Sequence, residues 1–265
     1  MKALTAPFEV FHRHWALLWA TTRSDVRGRF AGSLLGRLWL VFYPLLMLAI
    51  YAAVYMYIFN VRFPGISGPE YVLIVFCGLI PFIGFSEALG LGAPSVVANS
   101  SLVKNTLYPI ELIPAKAVMV TQFTQVTGMA MLLIGLAVAG KLTPWALMAV
   151  PVWICQVLFT LGIVYALASV TVFIRDLQAA IPVMMLMLMI VSPIAYTPEM
   201  VPATMAPLLW INPLSYMIQC YRDCLIEGRF PQYNAFPILA AFSLLSYLIG
   251  HAFFRRLKGA FADHV

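Results

Sequence analysis

Charge and cysteine are both scarce in this sequence. Charged residues make up 10% of its 265 residues, and only ten are Asp or Glu. An ordinary soluble domain carries about 25% charge, so that class is excluded. Glu87 is the only acidic residue deep in an apolar run. That disfavours an intramembrane enzyme, which needs converging polar groups, and a secondary transporter, whose ion coupling needs more buried charge. No internal repeat supports the latter. Four cysteines are too few for a disulfide framework. Cys77 and Cys155 fall inside apolar runs as small hydrophobes, and Cys220 and Cys224 sit four apart in a predicted helix, an awkward spacing for a disulfide. The histidines at 12, 14, 251 and 264 have no metal-ligand spacing, and no metal is expected.

Hydrocarbon dominates instead: 63% of residues are hydrophobic, with a mean hydropathy of +0.92. The net charge of +6 is not a nucleic-acid signature, because the basic residues cluster at the ends of apolar runs and form no continuous patch. Six apolar segments are read at 39–59, 71–92, 113–140, 145–174, 179–196 and 235–254. A helix needs about 20 apolar residues to cross a bilayer core, and backbone groups in lipid must be satisfied internally. The predicted fold is therefore all-α and integral to a membrane, with residues 1–265 forming a single transmembrane domain of six helices.

Basic residues orient it. Lys2, Arg13, Arg23, Arg27, Arg29, Arg37, Lys104, Lys116, Arg175, Arg255, Arg256 and Lys258 fall on one side, whereas Arg62, Lys141, Arg222 and Arg229 fall on the other. By the positive-inside rule both termini are cytoplasmic. No cleaved signal peptide is expected, since charged residues recur through Arg37 and no short apolar core precedes a small-residue cleavage site.

Before the first span, over residues 8–30, Phe8, Phe11, Trp15, Leu18, Trp19 and Val26 project within about a third of a helical wheel, as an interfacial amphipathic helix does. It serves as a plain anchor or as a gate at the cytoplasmic entrance. The arginines that follow it, Arg27, Arg29 and Arg37, form a candidate surface for anionic lipid headgroups. Between the fifth and sixth spans, residues 197–234 are Pro-rich yet largely apolar. Asn212-Pro213 starts a helix, with Asn as N-cap and Pro at N1, and Gly228 is placed to end it. Too short to span, it predicts a re-entrant or interfacial helix pair on the outer face, covered by protein or lining a water-filled cavity.

Two motif matches fail. Gly135 to Lys141 satisfies a phosphate-loop pattern, but Leu142 replaces the required Ser/Thr and the segment ends a membrane helix. Gly84-Phe85-Ser86-Glu87-Ala88 lacks the final Gly of a nucleophile elbow. ATP-driven work by this chain would need a partner.

The pattern Arg27-x-Arg29-Phe30-x-x-Ser33-x-Leu35-Gly36-x-x-Trp39-x-x-x-x-Pro44 resembles the permease subunits of ABC exporters for lipid-linked polysaccharides and teichoic acids. So do Gly78-Leu79-Ile80-Pro81-Phe82, Asn99-Ser100-Ser101-Leu102-Val103-Lys104-Asn105 running into Tyr108-Pro109-Ile110-Glu111-Leu112-Ile113-Pro114, Phe173-Ile174-Arg175-Asp176, and Asn212-Pro213-Leu214. The match covers nearly the whole chain in order, closer to O-antigen exporters than to group 2 capsule exporters. It implies a homodimer in the bacterial inner membrane, bound to two copies of a cytoplasmic ABC ATPase that carries the ATP and Mg, with no cofactor in this chain. It also implies a coupling helix over 99–109, with Asn99, Leu102, Val103, Lys104, Asn105 and Pro109 as its contact residues. The alternative there is a mere connector, and Arg175-Asp176 is either a second contact or a local ion pair. Lipid-linked polysaccharide is the implied substrate, O-antigen before capsule, with a drug or lipid as the alternative. Tyr51, Tyr55 and Phe59 share a helical face of the first span and Tyr196 ends the fifth at matching depth. These rings line a glycan conduit or form the outer aromatic belt. Glu87 is expected to snorkel or to meet a Lys/Arg partner across the dimer, and Gly84, Ala88 and Gly92 to permit close helix contact.

Overall fold

The computed structural model describes residues 9–29, 32–54, 68–104, 108–197, 200–232 and 234–265. Every regular element among them is helical. Eight helices organise the chain: α1 (Trp15–Arg29), α2 (Trp39–Ala53), α3 (Gly68–Gly92), α4 (Leu112–Val138), α5 (Ala149–Phe173), α6 (Leu177–Val191), α7 (Pro213–Leu225) and α8 (Ala235–Leu257). Short helices at Ser95–Ala98, Ser100–Lys104, Ala206–Ile211 and Phe261–His264 join or end them.

Four stretches are long and apolar enough to cross a membrane: Glu70–Gly92, Leu112–Val138, Pro144–Phe173 and Ala235–His264. They correspond to the second, third, fourth and sixth apolar segments of the sequence. The first and fifth are represented by the shorter apolar helices Trp39–Ile50 and Leu177–Val191. The first segment was expected to run to Phe59, and its part beyond residue 54 lies outside the described residues. The fifth was expected to reach Tyr196. Its helix instead ends at Val191, because Pro193 cannot continue it and Ser192 turns to extended backbone.

Helices in lipid gain little from expelling water, so they associate through close packing and interhelical hydrogen bonds. The α5–α8 pair shows this most clearly. A methyl group added at Gly250 would lie 2.0 Å from the Gly162 carbonyl oxygen, and one at Gly162 would lie 2.3 Å from the Ser246 backbone. Gly84 and Gly92 act likewise on α3, the first against Gln125 of α4 and the second against Val164 of α5, with Ala88 fully buried between them. The expected small-residue contact face is thus occupied by two helices of the same chain.

A polar knot ties the middle of the bundle. Gln125 and Gln156 exchange amide hydrogen bonds at 2.7 and 2.9 Å, Gln156 Nε2 also donates to the Pro81 carbonyl at 2.9 Å, and the Tyr221 hydroxyl donates to Gln156 Oε1 at 2.9 Å. Four helices therefore meet at one side chain. Nearby, Trp153 Nε1 donates to Gln122 Oε1 at 2.8 Å.

The region after α6 is built around α7. Asn212 caps it, its Oδ1 accepting from the Leu214 N–H at 3.0 Å, with Pro213 at the first position. The helix was expected to run up to Gly228 but ends at Leu225, with Ile226 as its C-cap; Gly228 follows at φ +64, and the Arg229 N–H returns to the Asp223 carbonyl at 3.0 Å. Helix α7 packs on α3, α5 and α8, and both of its charged side chains are hydrogen-bonded inside the protein. Arg222 Nη2 donates to the carbonyl of Pro193 at 2.8 Å, and Nη1 to that of Tyr196 at 3.3 Å. The fully buried Asp223 accepts from Arg229 at 3.0 and 3.1 Å and from the Gln232 N–H at 3.0 Å. All four cysteines are free thiols.

Candidate functional site

The arginine-rich turn between α1 and α2 is where charge enters the bundle. Helix α1 places Arg27 and Arg29 in its last turn, where the carbonyl end of the helix dipole favours cations. It is not a free-standing amphipathic rod. Its buried line is Leu18 and Thr22, with the Thr22 hydroxyl donating to the Leu18 carbonyl at 2.7 Å, and Asp25 pairs with Lys116 of α4 at 2.8 Å. Trp15 and Trp19 remain about half exposed, stacked on each other with ring centroids 6.5 Å apart, and Trp19 stacks on Phe123 at 6.0 Å. Indoles at the edge of an apolar bundle suit headgroup depth.

Arg29 Nη2 lies 3.5 Å from Glu87 Oε1 of α3, with the side chains 34% and 13% exposed. The partner expected for Glu87 lay across the dimer; the structure pairs it instead with an arginine of its own chain. A cavity of about 450 Å³ opens beside the pair, lined by Arg29, Trp39, Tyr43, Glu87, Gly90, Leu91 and Thr124. Trp39 is held at its wall by donating Nε1 to Ser33 Oγ at 3.0 Å. Arg27 is exposed, and the side chain of Arg37 lies outside the described residues, as does Phe30 of the motif.

The loop after α3 forms two short helices. Asn99 closes the first, its Nδ2 donating to the Ser95 carbonyl at 2.7 Å. In the second, Ser100–Lys104, Ser101 and Lys104 are exposed, Leu102 is half-buried, and Val103 is only 4% exposed, set into the core of its own chain. The exposed surface of this segment is therefore Ser101, Lys104 and part of Leu102, while Val103 seats it on its own chain. Asn105 lies outside the described residues, and Pro109 opens the turn into α4, its carbonyl accepting from the Leu112 N–H at 3.0 Å. Past that turn Glu111 is paired with Lys258, which follows α8. Burial pushes the Glu111 carboxyl up, but the Lys258 hydrogen bond and charge outweigh it and hold its pKa below the usual carboxylate range.

This arrangement fits a known family of membrane proteins, whose profile, the ABC-2 type transporter, matches residues 16–226. The chain belongs to the ABC-2 type transporter family. Over 250 residues it is 28% identical to an O-antigen export system permease protein RfbA of Klebsiella pneumoniae, covering 93% of this chain and 94% of that one. To the RfbA permease of Myxococcus xanthus it is 24% identical over 257 residues, covering 96% and 97% of the two chains. The polysialic acid transport protein KpsM of Escherichia coli is 27% identical over 238 residues, covering 89% and 91%. With its four long apolar helices, this ABC-2 chain is a multi-pass membrane protein of a transport family.

The other sequence-derived residues of this ABC-2 transporter chain are spread along its length. Tyr55 and Phe59 lie outside the described residues, as does the side chain of Tyr51. Tyr196 is half-buried, and its hydroxyl donates to the Val191 carbonyl at 2.7 Å, so the phenol closes the end of α6. The sequence reading missed the Gln125–Gln156–Tyr221 knot. Paired amides inside predicted spans were the available signal, since polar side chains in membrane helices seek one another. It also missed the anchoring of Phe261, fully buried between Phe173 and Phe254, with ring centroids at 6.3 and 5.2 Å.

Proposed function

We propose that this chain is the transmembrane subunit of an ATP-driven exporter that moves lipid-linked polysaccharide, O-antigen before capsule, across the bacterial inner membrane. ATP is hydrolysed in a separate cytoplasmic ABC subunit, two copies of which bind a homodimer of this chain. Six spans place both termini in the cytoplasm, with α7 re-entrant from the outer face. What supports the re-entrant reading is that Tyr221 donates to Gln156, which itself holds Gln125 and Pro81, all three well inside their own spans, while protein covers the helix. The apolar faces left exposed on α2 and α6, Leu46 and Ile50 on one and Leu186, Met187 and Ile190 on the other, are available to lipid and to the second copy.

The roles follow the chemistry of each place. Arg27, Arg29 and Arg37 attract the phosphate of the carrier lipid, since guanidinium pairs with phosphate in bidentate fashion. Tyr51, Tyr55, Phe59 and Tyr196 offer flat rings along which sugars slide without being trapped. Residues 99–109 transmit the ATPase movement, with Leu102, Lys104, Asn99, Asn105 and Pro109 at the contact and Val103 seating the helix.

The observation that carries this reading is the near full-length likeness to polysaccharide and O-antigen export permeases. The test is deletion of the gene in its host. Surface polysaccharide should vanish while its lipid-linked precursor accumulates in the inner membrane, and this chain supplied in trans should restore export. Unchanged surface glycan in the deletion strain would refute the assignment.

A further inference from the structure

A carboxylate deep in an apolar helix is costly and marks function by default. Glu87 is that residue in α3, and it faces a guanidinium from a different element, the end of α1. The pair is loose. Its separation of 3.5 Å compares with about 2.7–2.9 Å for a full charge-assisted hydrogen bond, and a single carboxylate oxygen makes the contact. Beside it the cavity of about 450 Å³ adds the hydroxyl-bearing side chains of Tyr43 and Thr124 to Arg29. Hydroxyls and a guanidinium are the donors that an oxyanion with several acceptor oxygens can use together.

We infer that this pocket seats a phosphate ester and that Glu87 is its stand-in, holding Arg29 between substrates and yielding it when the phosphate arrives. The inference rests on the reading of Arg29 as a headgroup residue, and it names the pocket and the competitor that reading lacks. Exchange is favourable because a phosphate presents more charge and more acceptors to the guanidinium than one carboxylate oxygen does. The exchange also has a mechanical consequence. The Arg29–Glu87 contact ties α1 to α3, whereas Asp25–Lys116 ties α1 to α4. Capture of Arg29 by phosphate breaks the first tie and leaves the second, so headgroup binding frees the end of α1 from α3.

The test titrates the full chain, in phosphatidylcholine nanodiscs, with a fluorescent polyprenyl monophosphate, with the matching polyprenyl alcohol and with inorganic phosphate as competitor. Glu87→Gln keeps the side-chain shape and removes the competitor. It should tighten the phosphate probe by roughly five- to tenfold, the lower range of coupling between linked binding events, and leave the alcohol unchanged. Arg29→Gln should lose the preference for phosphate over alcohol. The exchanged pair Arg29→Glu with Glu87→Arg should insert and behave as a folded protein. A salt bridge of purely architectural purpose would be satisfied by that exchange, and the phosphate preference should still fall. Competition by inorganic phosphate alone would identify a free-anion site, and its absence a site that also needs the lipid tail. Unchanged or weaker phosphate binding in Glu87→Gln overturns the stand-in role. Wild-type phosphate preference in Arg29→Gln overturns the headgroup reading itself, so the two failures are distinct.

Discussion

At the residue scale, the bundle depends on a few atoms that must be absent and a few that must be paired. Gly162 and Gly250 belong to the first kind. Valine at Gly250 would drive its side chain into the Gly162 backbone, where an added Cβ already meets the carbonyl oxygen at 2.0 Å. No stably inserted monodisperse protein should accumulate, whereas Gly259→Val, with nothing within 4 Å of the added carbon, should leave the gel-filtration profile unchanged. Gln156 belongs to the second kind. Gln156→Leu removes the acceptor of Tyr221 and both partners of Gln125, and an orphaned buried polar group costs about 1–3 kcal/mol. A lower unfolding midpoint in detergent, partly recovered by adding Tyr221→Phe, is the expected outcome. Lys258→Met probes Glu111. A carboxyl with a depressed pKa in the folded state contributes stability above its ordinary pKa and loses it as pH falls through the depressed value. The variant should thus be less stable than wild type at neutral pH, and the difference should shrink as the medium is acidified through the carboxylate range. A gap that stays constant across that range would remove the ion pair from the account.

At the element scale, legibility tracked the physics that each element uses. The long apolar helices, the Asn212–Pro213 start and the positive φ of Gly228 were readable because hydropathy, capping and positive φ are local properties of sequence. The burial of Val103 and the partners of Arg222 were not, because they depend on which helices meet. Helix α1 shows the mixture. Its register was visible from Phe11, Leu18 and Val26, but its attachment through Asp25–Lys116 and Arg29–Glu87 joins residues far apart in sequence. The Ser100–Lys104 helix yields a sharper prediction than sequence allowed. Leu102→Asp alone should lower export while ATP hydrolysis in the co-purified complex persists, since Leu102 is half-buried at the surface. Val103→Asp should instead reduce the amount of folded protein, since Val103 is 4% exposed. Identical behaviour of the two variants would mean that the segment is only a connector.

At the scale of the whole molecule, one chain supplies a helical bundle with a charged turn between α1 and α2, a short helix pair beyond α3 and a protein-covered helix after α6. Its topology is checked by single cysteines in a background lacking the four native ones. A cysteine at position 202 should react with an impermeant thiol reagent from the periplasm, and Lys104→Cys should not. The central claim is transport of a lipid-linked glycan, and reconstitution addresses it most directly. The chain and its ATPase would be placed in proteoliposomes carrying lipid-linked polysaccharide in the leaflet that faces the ATPase. Movement is read as glycan reaching the opposite leaflet, by enzyme or lectin accessibility. The account predicts transfer that requires ATP and is abolished by Arg29→Glu. Transfer without ATP, or ATP-driven transfer of a small amphiphile with none of the glycan, would contradict it.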